Sequence, residues 1–236
     1  MKYPTLLALS LTVLFFSCSK MPHSPMKEDK IKVLYFYDAL CGWCYGFSLV
    51  IKEVKTAYDD KFDFEIISGG LRLGDAVGPI GEVAPYIKAG AYKTVEQTCG
   101  VKFGDDFVNG PLQEGTMILN SLQPAIALAI VKKLKPKKAF EFSSILHKAS
   151  YVDGLHPENV NGYGKYAEKI GFDSDDFVAL MSDKSYQKSA QDDFNLSNKH
   201  SITGFPALVG VRGDSTFVIA NGYADFQTIS SRLDRL

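Results

Sequence analysis

Cys41 and Cys44 are separated only by Gly42 and Trp43. Thiols at this spacing can close a disulfide or open one. Exchange needs a thiolate that attacks and a second thiol close enough to resolve the mixed disulfide. Free cysteine is mostly protonated near neutrality, so such a pair needs a setting that favours the anion. A helix N-terminus supplies it through unpaired N–H groups and the positive end of the helix dipole. With Cys41 at the exposed mouth of such a helix and Cys44 one turn on, Cys41 is the expected nucleophile and Cys44 the resolving thiol. Gly42 removes bulk beside the nucleophile, and Trp43 offers apolar contact area to a protein substrate. Two other readings of the motif compete. Half of a zinc site wants further ligands, and no second CxxC or Cys/His pair appears, so no metal is expected. A purely structural disulfide over so short a loop would stabilise little.

The surrounding elements decide between them. Residues 31–37 form a β-branched and aromatic run, apolar on both faces, which predicts a central strand. From Cys41 to Tyr58 the apolar residues Phe47, Val50, Ile51 and Val54 recur at helical spacing. Phe62, Phe64, Ile66 and Ile67 then predict a second strand, closed by Gly69-Gly70. The motif therefore sits at the start of the helix of a βαβ unit. Residues 71–190 are expected to be a mainly helical insertion, with helices over 118–134, 139–151, 160–170, 173–181 and 186–198. The glycine-rich stretch from Gly69 to Gly90 lacks a phosphate-binding pattern and is expected to be loop. Strand character returns over 207–211 and 216–220, around the turn residues Arg212-Gly213-Asp214-Ser215, and a helix over 226–233 closes the chain. The fold class is α/β, with helices inserted between βαβ and ββα halves.

Ahead of the last hairpin stands Gly204-Phe205-Pro206. Proline cannot donate to a sheet ladder and marks a bend at a strand start. A cis bond at Pro206 would turn the backbone of Phe205 outward to pair with an extended substrate. The base rate favours trans, and the CxxC context reverses that expectation.

These residues carry a resemblance. Tyr37-Asp38-Ala39-Leu40-Cys41-Gly42-Trp43-Cys44-Tyr45-Gly46, taken with Gly204-Phe205-Pro206, resembles the DsbA-like branch of the thioredoxin superfamily, over residues 31–236. The resemblance implies a thioredoxin-like fold, Cys41 as nucleophile, Cys44 as resolving thiol, and Pro206 as a cis-proline facing them. It implies no cofactor, protein thiols and disulfides as substrates at Gly42, Trp43, Phe205 and Pro206, and an unidentified redox partner. Gly-Trp between the cysteines differs from the Pro-His of strongly oxidising members, so the direction of exchange does not carry over. Two alternatives stand beside this reading. A glutathione-dependent transferase or isomerase of the same layout would carry a serine, or no thiol pair, at Cys41. A non-catalytic binding lipoprotein on the same scaffold would need no reactive pair.

The remaining features bound the setting. The 236 residues are 46% hydrophobic with a formal charge of −1, which leaves no basic excess for nucleic acid. The run Lys132, Lys133, Lys135, Lys137 and Lys138 is expected to be a solvated helix end. Lys2 and the short apolar stretch of residues 6–16 predict an export signal. Ser17-Cys18 resembles a lipoprotein cleavage site, so Cys18 is the expected lipidation site and residues 19–30 a tether. The expected location is the periplasm or cell envelope, with membrane contact only through the lipid. Asp38 is expected to cap the helix of the motif, and Cys99 to be buried or idle. His147, His156 and His200, which lack metal-ligand spacing, are expected at the surface or as satisfied core residues.

Overall fold

The computed structural model describes residues 30–236 together with Met1. The expected leader with Cys18, and all but the last residue of the expected tether, lie outside the described residues. The central strand is β1 (Lys32–Tyr37), buried from Val33 onward. It pairs in parallel with β2 (Asp63–Ser68) and antiparallel with β3 (Ala207–Arg212), which forms a hairpin with β4 (Ser215–Asn221). The sheet order is β2-β1-β3-β4. Gly213 takes the left-handed conformation of the hairpin turn at φ 56°, which glycine adopts without steric cost.

Side chains alternate across the strand. Val33, Tyr35 and Tyr37 join the core beneath α1 (Gly42–Tyr58), whereas Leu34 and Phe36 pack with Ile67, Ala207 and Val209 on the other face. Phe36 and Phe47 are wholly buried. Burial of an aromatic of this size is worth about 1.5–3 kcal/mol of transfer free energy.

Between the βαβ unit and the hairpin lie α2 (Tyr92–Cys99), α3 (Leu122–Leu134), α4 (Ala139–Tyr151) and α5 (Lys184–Lys199), joined by shorter helical turns; α6 (Phe226–Leu233) ends the chain. The helix expected from residue 118 begins only at Leu122. Ile118–Leu119 instead pairs with Gly78–Pro79 as a two-residue ladder, and Pro124 is accommodated within the first turn. The helix expected over 160–170 breaks into Val160–Tyr163, Gly164–Ala167 and Glu168–Ile170, only the middle piece being α-helical. The supposed glycine-rich loop contains a helical turn at Ile80–Val83 and leads through Gly90, at φ 123°, into α2, which the sequence reading missed. Asp183 caps α5 by accepting from the Ser185 amide at 2.8 Å.

A second core, built from Val95, Phe103, Phe107, Leu119 and Tyr151, closes onto Leu40 and Tyr45. The insertion thus packs against the turn that carries the cysteines. The Lys132 ammonium joins α3 to α5 through Asp193, whose carboxylate also accepts from the Ser68 amide at the end of β2. Among the described residues no helix is long and apolar enough to cross a membrane.

Candidate active site

Cys41 is itself the N-cap of α1: its sulfur accepts from the Cys44 amide at 3.4 Å. The expectation that Asp38 caps the helix is therefore corrected. Cys41 begins the helix with extended backbone, φ −100° and ψ 111°, so its own side chain is the one that turns back over the orphan N–H groups. Cys41 is also less open than expected, at 8% exposure, and Cys44 is wholly enclosed at 0%. Both are free thiols. Gly42 bears no side chain and Trp43 is 38% exposed, so the approach from solvent runs over Cys41. Burial pushes the Cys44 thiol well above the usual thiol range, and the adjacent Cys41 sulfur pushes the same way. This arrangement gives the two thiols unequal access: an incoming sulfur can meet Cys41, while Cys44 is open only to reaction from within.

The Phe205–Pro206 bond is cis, and the Phe205 carbonyl accepts from the Cys41 thiol at 3.3 Å. The hairpin loop and the helix mouth are thereby in direct contact across 164 residues of chain. The Phe205 ring itself turns inward onto Gly69 and packs against the apolar clusters on the two faces of the sheet. Its contribution to the open surface is the backbone, not the side chain.

Asp38 is buried and acts as a clasp rather than a cap. One carboxylate oxygen accepts from the Leu40 amide at 2.9 Å and the Ser121 hydroxyl at 3.0 Å; the other accepts from the Leu71 amide at 2.8 Å. These bonds tie the motif loop to the exit of β2 and the entry of α3. Burial raises the Asp38 carboxyl above the usual range, and the same hydrogen bonds oppose that rise. The carbonyl of Asp38 lies 3.1 Å from His147 Nε2. The carbonyl can only accept, so Nε2 carries a hydrogen, and burial, which pushes the ring's pKa down to about 4, keeps it neutral near pH 7. His147 is a core residue as expected, but only half satisfied: Nδ1 finds no partner among the described residues. His200 lies against Phe36, its ring centroid 5.4 Å away.

A small apolar recess of about 90 Å³ opens beside Cys41, walled by Leu40, Leu71, Tyr86, Tyr92 and Phe103. Trp43 stands at its rim and leans toward Tyr223, centroids 6.2 Å apart. The larger depression of about 710 Å³ between α1 and α4, lined by Lys52, Phe140 and Ile145 among others, contains no thiol. Cys99 is partly exposed rather than buried. Its sulfur packs on Gly46, and burial pushes its pKa up to about 11, with the neighbouring Tyr223 hydroxyl opposing that rise. Among the described residues no group of three or more His, Cys, Asp or Glu is placed to hold a metal ion. Asp38 as a clasp, Ser121, Gly69 and the half-satisfied His147 escaped the sequence reading, because each matters through a partner far along the chain.

A solved structure of a candidate protein disulfide isomerase from Nitrosomonas europaea superposes with a TM-score of 0.78 at 25% identity, covering 88% of this chain and 97% of that one. The cytosolic disulfide reductase DsbM from Pseudomonas aeruginosa shares the fold, with a TM-score of 0.71 at 22% identity and coverage of 86% and 96%. Among curated proteins, the ClpXP adapter protein SpxH of Shouchella clausii (strain KSM-K16) is 24% identical over 189 residues, which is 78% of this chain. The match spans 59% of that relative's length. Residues 32–234 match the model of the DSBA-like thioredoxin domain, and the chain belongs to that family.

Proposed function

We propose that this protein is a dithiol–disulfide oxidoreductase that exchanges disulfides with other proteins through Cys41 and Cys44. The observation that carries the reading is the Cys41 sulfur at the N-cap of α1, with the enclosed Cys44 one turn behind it. In the reducing direction the Cys41 thiolate attacks a substrate disulfide, forms the Cys41 mixed disulfide and expels one substrate thiolate. Cys44, as thiolate, then attacks the Cys41 sulfur. The internal disulfide forms, the second substrate thiolate leaves, and the Cys44 proton ends on a substrate sulfur. Oxidation of a substrate dithiol runs the same steps backward, with the Cys41–Cys44 disulfide consumed and restored by a separate redox partner. The exposed Trp43 and the backbone at Phe205–Pro206 supply the surface for an extended substrate segment.

Cys44→Ser tests this reading. With the resolving thiol gone, Cys41 should accumulate as a mixed disulfide with a disulfide-bearing protein substrate, seen as an added mass on the Cys41 peptide. Absence of that adduct, or alkylation of Cys41 at mildly acid pH no faster than a model thiol, overturns it. We also place the protein outside the cytoplasm, tethered by lipid on Cys18, as the apolar leader and Ser17-Cys18 suggest. Cys18→Ala should then move it from the membrane fraction to the soluble one, and an unchanged distribution removes the anchor.

A further inference from the structure

Arg72 follows Leu71, one wall of the apolar recess beside Cys41. Its backbone is pinned on both sides: the amide donates to the Ser121 hydroxyl at 3.0 Å, and the carbonyl accepts from the Ser121 amide at 2.9 Å. The guanidinium reaches across the loop, donating from Nη1 to the Val83 carbonyl at 3.1 Å and from Nη2 to the Tyr86 hydroxyl at 3.0 Å. Among the described residues its buried Nε has no partner, and no carboxylate lies within ion-pair distance of it. An arginine that only stapled the loop would leave a partly buried cation uncompensated, at a cost. Tyr86 walls the recess and is 54% exposed. Its oxygen accepts from Arg72, so its own proton is free to donate outward, and a cation behind a donor strengthens it. Lys93 lies along the same wall. Its ammonium is 5.8 Å from the ring centre of Tyr92, and it too has no ion-pair partner among the described residues. The recess lining itself carries no charged side chain.

We infer that Tyr86 and Arg72 form a carboxylate subsite beside the nucleophile, which selects disulfides carrying an acidic group next to the sulfur that Cys41 attacks. This deepens the exchange reading above and rests on it for the identity of the reaction. Cys41 and Tyr86 line one recess of only about 90 Å³, so a group held on Tyr86 is within a residue's reach of the Cys41 sulfur. In the step itself the Cys41 thiolate attacks one substrate sulfur. The Cys41–substrate S–S bond forms, the substrate S–S bond breaks, and the second sulfur leaves as thiolate. Negative charge stays at the sulfurs throughout, so an apolar site without a cation would repel a substrate carboxylate. The Tyr86 O–H and the Arg72 guanidinium reverse that penalty, and Lys93 adds attraction at longer range. The carboxylate belongs either to an acidic residue beside a polypeptide cysteine or to a small carboxylated disulfide, and both present the same group to the same donors.

The test uses the Cys44→Ser protein, in which attack by Cys41 stops at the mixed disulfide and is counted by mass. Its rates with dithiodipropionate (anionic), hydroxyethyl disulfide (neutral) and cystamine (cationic) are each divided by the rate of mercaptoethanol, a free thiol. At low salt the anionic reagent should be favoured over the neutral one by about three- to tenfold, and cystamine disfavoured. Salt at about 1 M, where the Debye length is about 3 Å, should erase most of the preference. In the same background Arg72→Gln should bring the anionic-to-neutral ratio to within about twofold of the free thiol's, and Arg72→Lys should restore part of it. Tyr86→Phe, which leaves the Arg72 bond to Val83 in place, should lower the ratio about two- to threefold; it reads the subsite even if Arg72→Gln does not fold. Peptide disulfides with Asp or Asn beside the cysteine separate the two sources. An Asp preference that Arg72→Gln abolishes assigns the subsite to polypeptides, and a preference confined to the small reagent assigns it to a small disulfide. With Arg72 and Tyr86 intact, a ratio within about twofold of the free thiol's overturns the inference, as does a ratio unchanged by both Arg72→Gln and Tyr86→Phe. If no protein substrate forms the Cys41 mixed disulfide while the charge preference holds and falls with Arg72→Gln, the proposed function fails and the carboxylate subsite stands.

Discussion

The ring of Phe205 lies directly on Gly69: a Cβ built at Gly69 would fall 2.1 Å from Phe205 Cε1 and 2.2 Å from Cζ. Gly69 is fixed in turn, because its amide donates to the Tyr37 carbonyl at the end of β1. The absence of one side chain beyond β2 therefore lets the Phe205 backbone settle against Cys41. Gly69→Ala should drive the ring off, at about 1–3 kcal/mol of stability as for other overpacked cores. It should also withdraw the carbonyl that accepts from the Cys41 thiol, so Cys41 should alkylate about two- to fivefold faster, the worth of one modest hydrogen bond. Phe205→Leu in the same chain should recover most of the stability. Thermal melts and iodoacetamide kinetics on the three proteins measure both effects, and a Gly69→Ala protein with wild-type values in both would refute the contact's role.

The buried His147 makes acid stability a readout of the site. Its folded pKa of about 4 lies below the ordinary 6.5, so the unfolded chain binds the proton first. The stability that the neutral ring contributes is complete above pH 6.5 and is lost as pH falls through about 4, amounting to about 3 kcal/mol in all. Asp38 works against this in the same region, since its raised carboxyl takes up its proton more readily in the folded state. His147→Gln isolates the histidine: the amide can still donate to the Asp38 carbonyl but cannot ionise. Urea unfolding between pH 7 and 4 should show a shallower loss in His147→Gln than in wild type. Parallel curves would mean that the ring is not buried neutral.

How much of this was open to sequence reading depends on how local each feature is. The βαβ unit, the final hairpin and Cys41 at a helix mouth were legible, because strand alternation, helical periodicity and turn residues act over a few neighbours. The helix Tyr92–Cys99 was not, since it buries only Val95 and follows a glycine at φ 123°. Asp38 was misread because an acidic residue just ahead of a helix satisfies the capping pattern. Its carboxylate goes instead to Leu71 and Ser121, 33 and 83 residues away. Tyr35 and Tyr37 read alike as strand aromatics, and only the fold shows that the buried Tyr35 hydroxyl is left without a partner among the described residues.

Asp193 is a second clasp, between the insertion and the sheet. Its carboxylate holds the Lys132 ammonium at 2.7 and 2.8 Å and accepts from the Ser68 amide at 3.0 Å, with only 12% of its side chain exposed. Burial raises its carboxyl above the ordinary range while Lys132 pulls it back down. Asp193→Ala leaves a largely buried ammonium and a buried amide without partners, a change expected to remove about 3–5 kcal/mol. Replacing both ends, as Lys132→Met with Asp193→Leu, should cost much less than the single change, because no unpaired charge remains. Denaturant unfolding of the two proteins settles the order; a double variant as unstable as Asp193→Ala would show that packing, not charge, sets the loss.

Trp43 is the sole tryptophan of the chain and stands between the two cysteines. Any fluorescence from tryptophan is therefore a report from the site itself. Closing the Cys41–Cys44 disulfide places a quenching S–S group beside the indole, so emission should fall on oxidation and recover on reduction when the pair is titrated with dithiothreitol. Cys44→Ser should abolish the change. At 38% exposure the indole is only partly embedded, its ring near Tyr223, so Trp43→Ala should leave the melting temperature nearly unchanged, within about 1 kcal/mol of stability. Its loss should appear instead as weaker capture of protein substrates by the Cys44→Ser protein, with little effect on reaction with a small thiol reagent. Equal losses toward both reagents would place Trp43 in the chemistry of the thiols rather than in the recognition of a polypeptide.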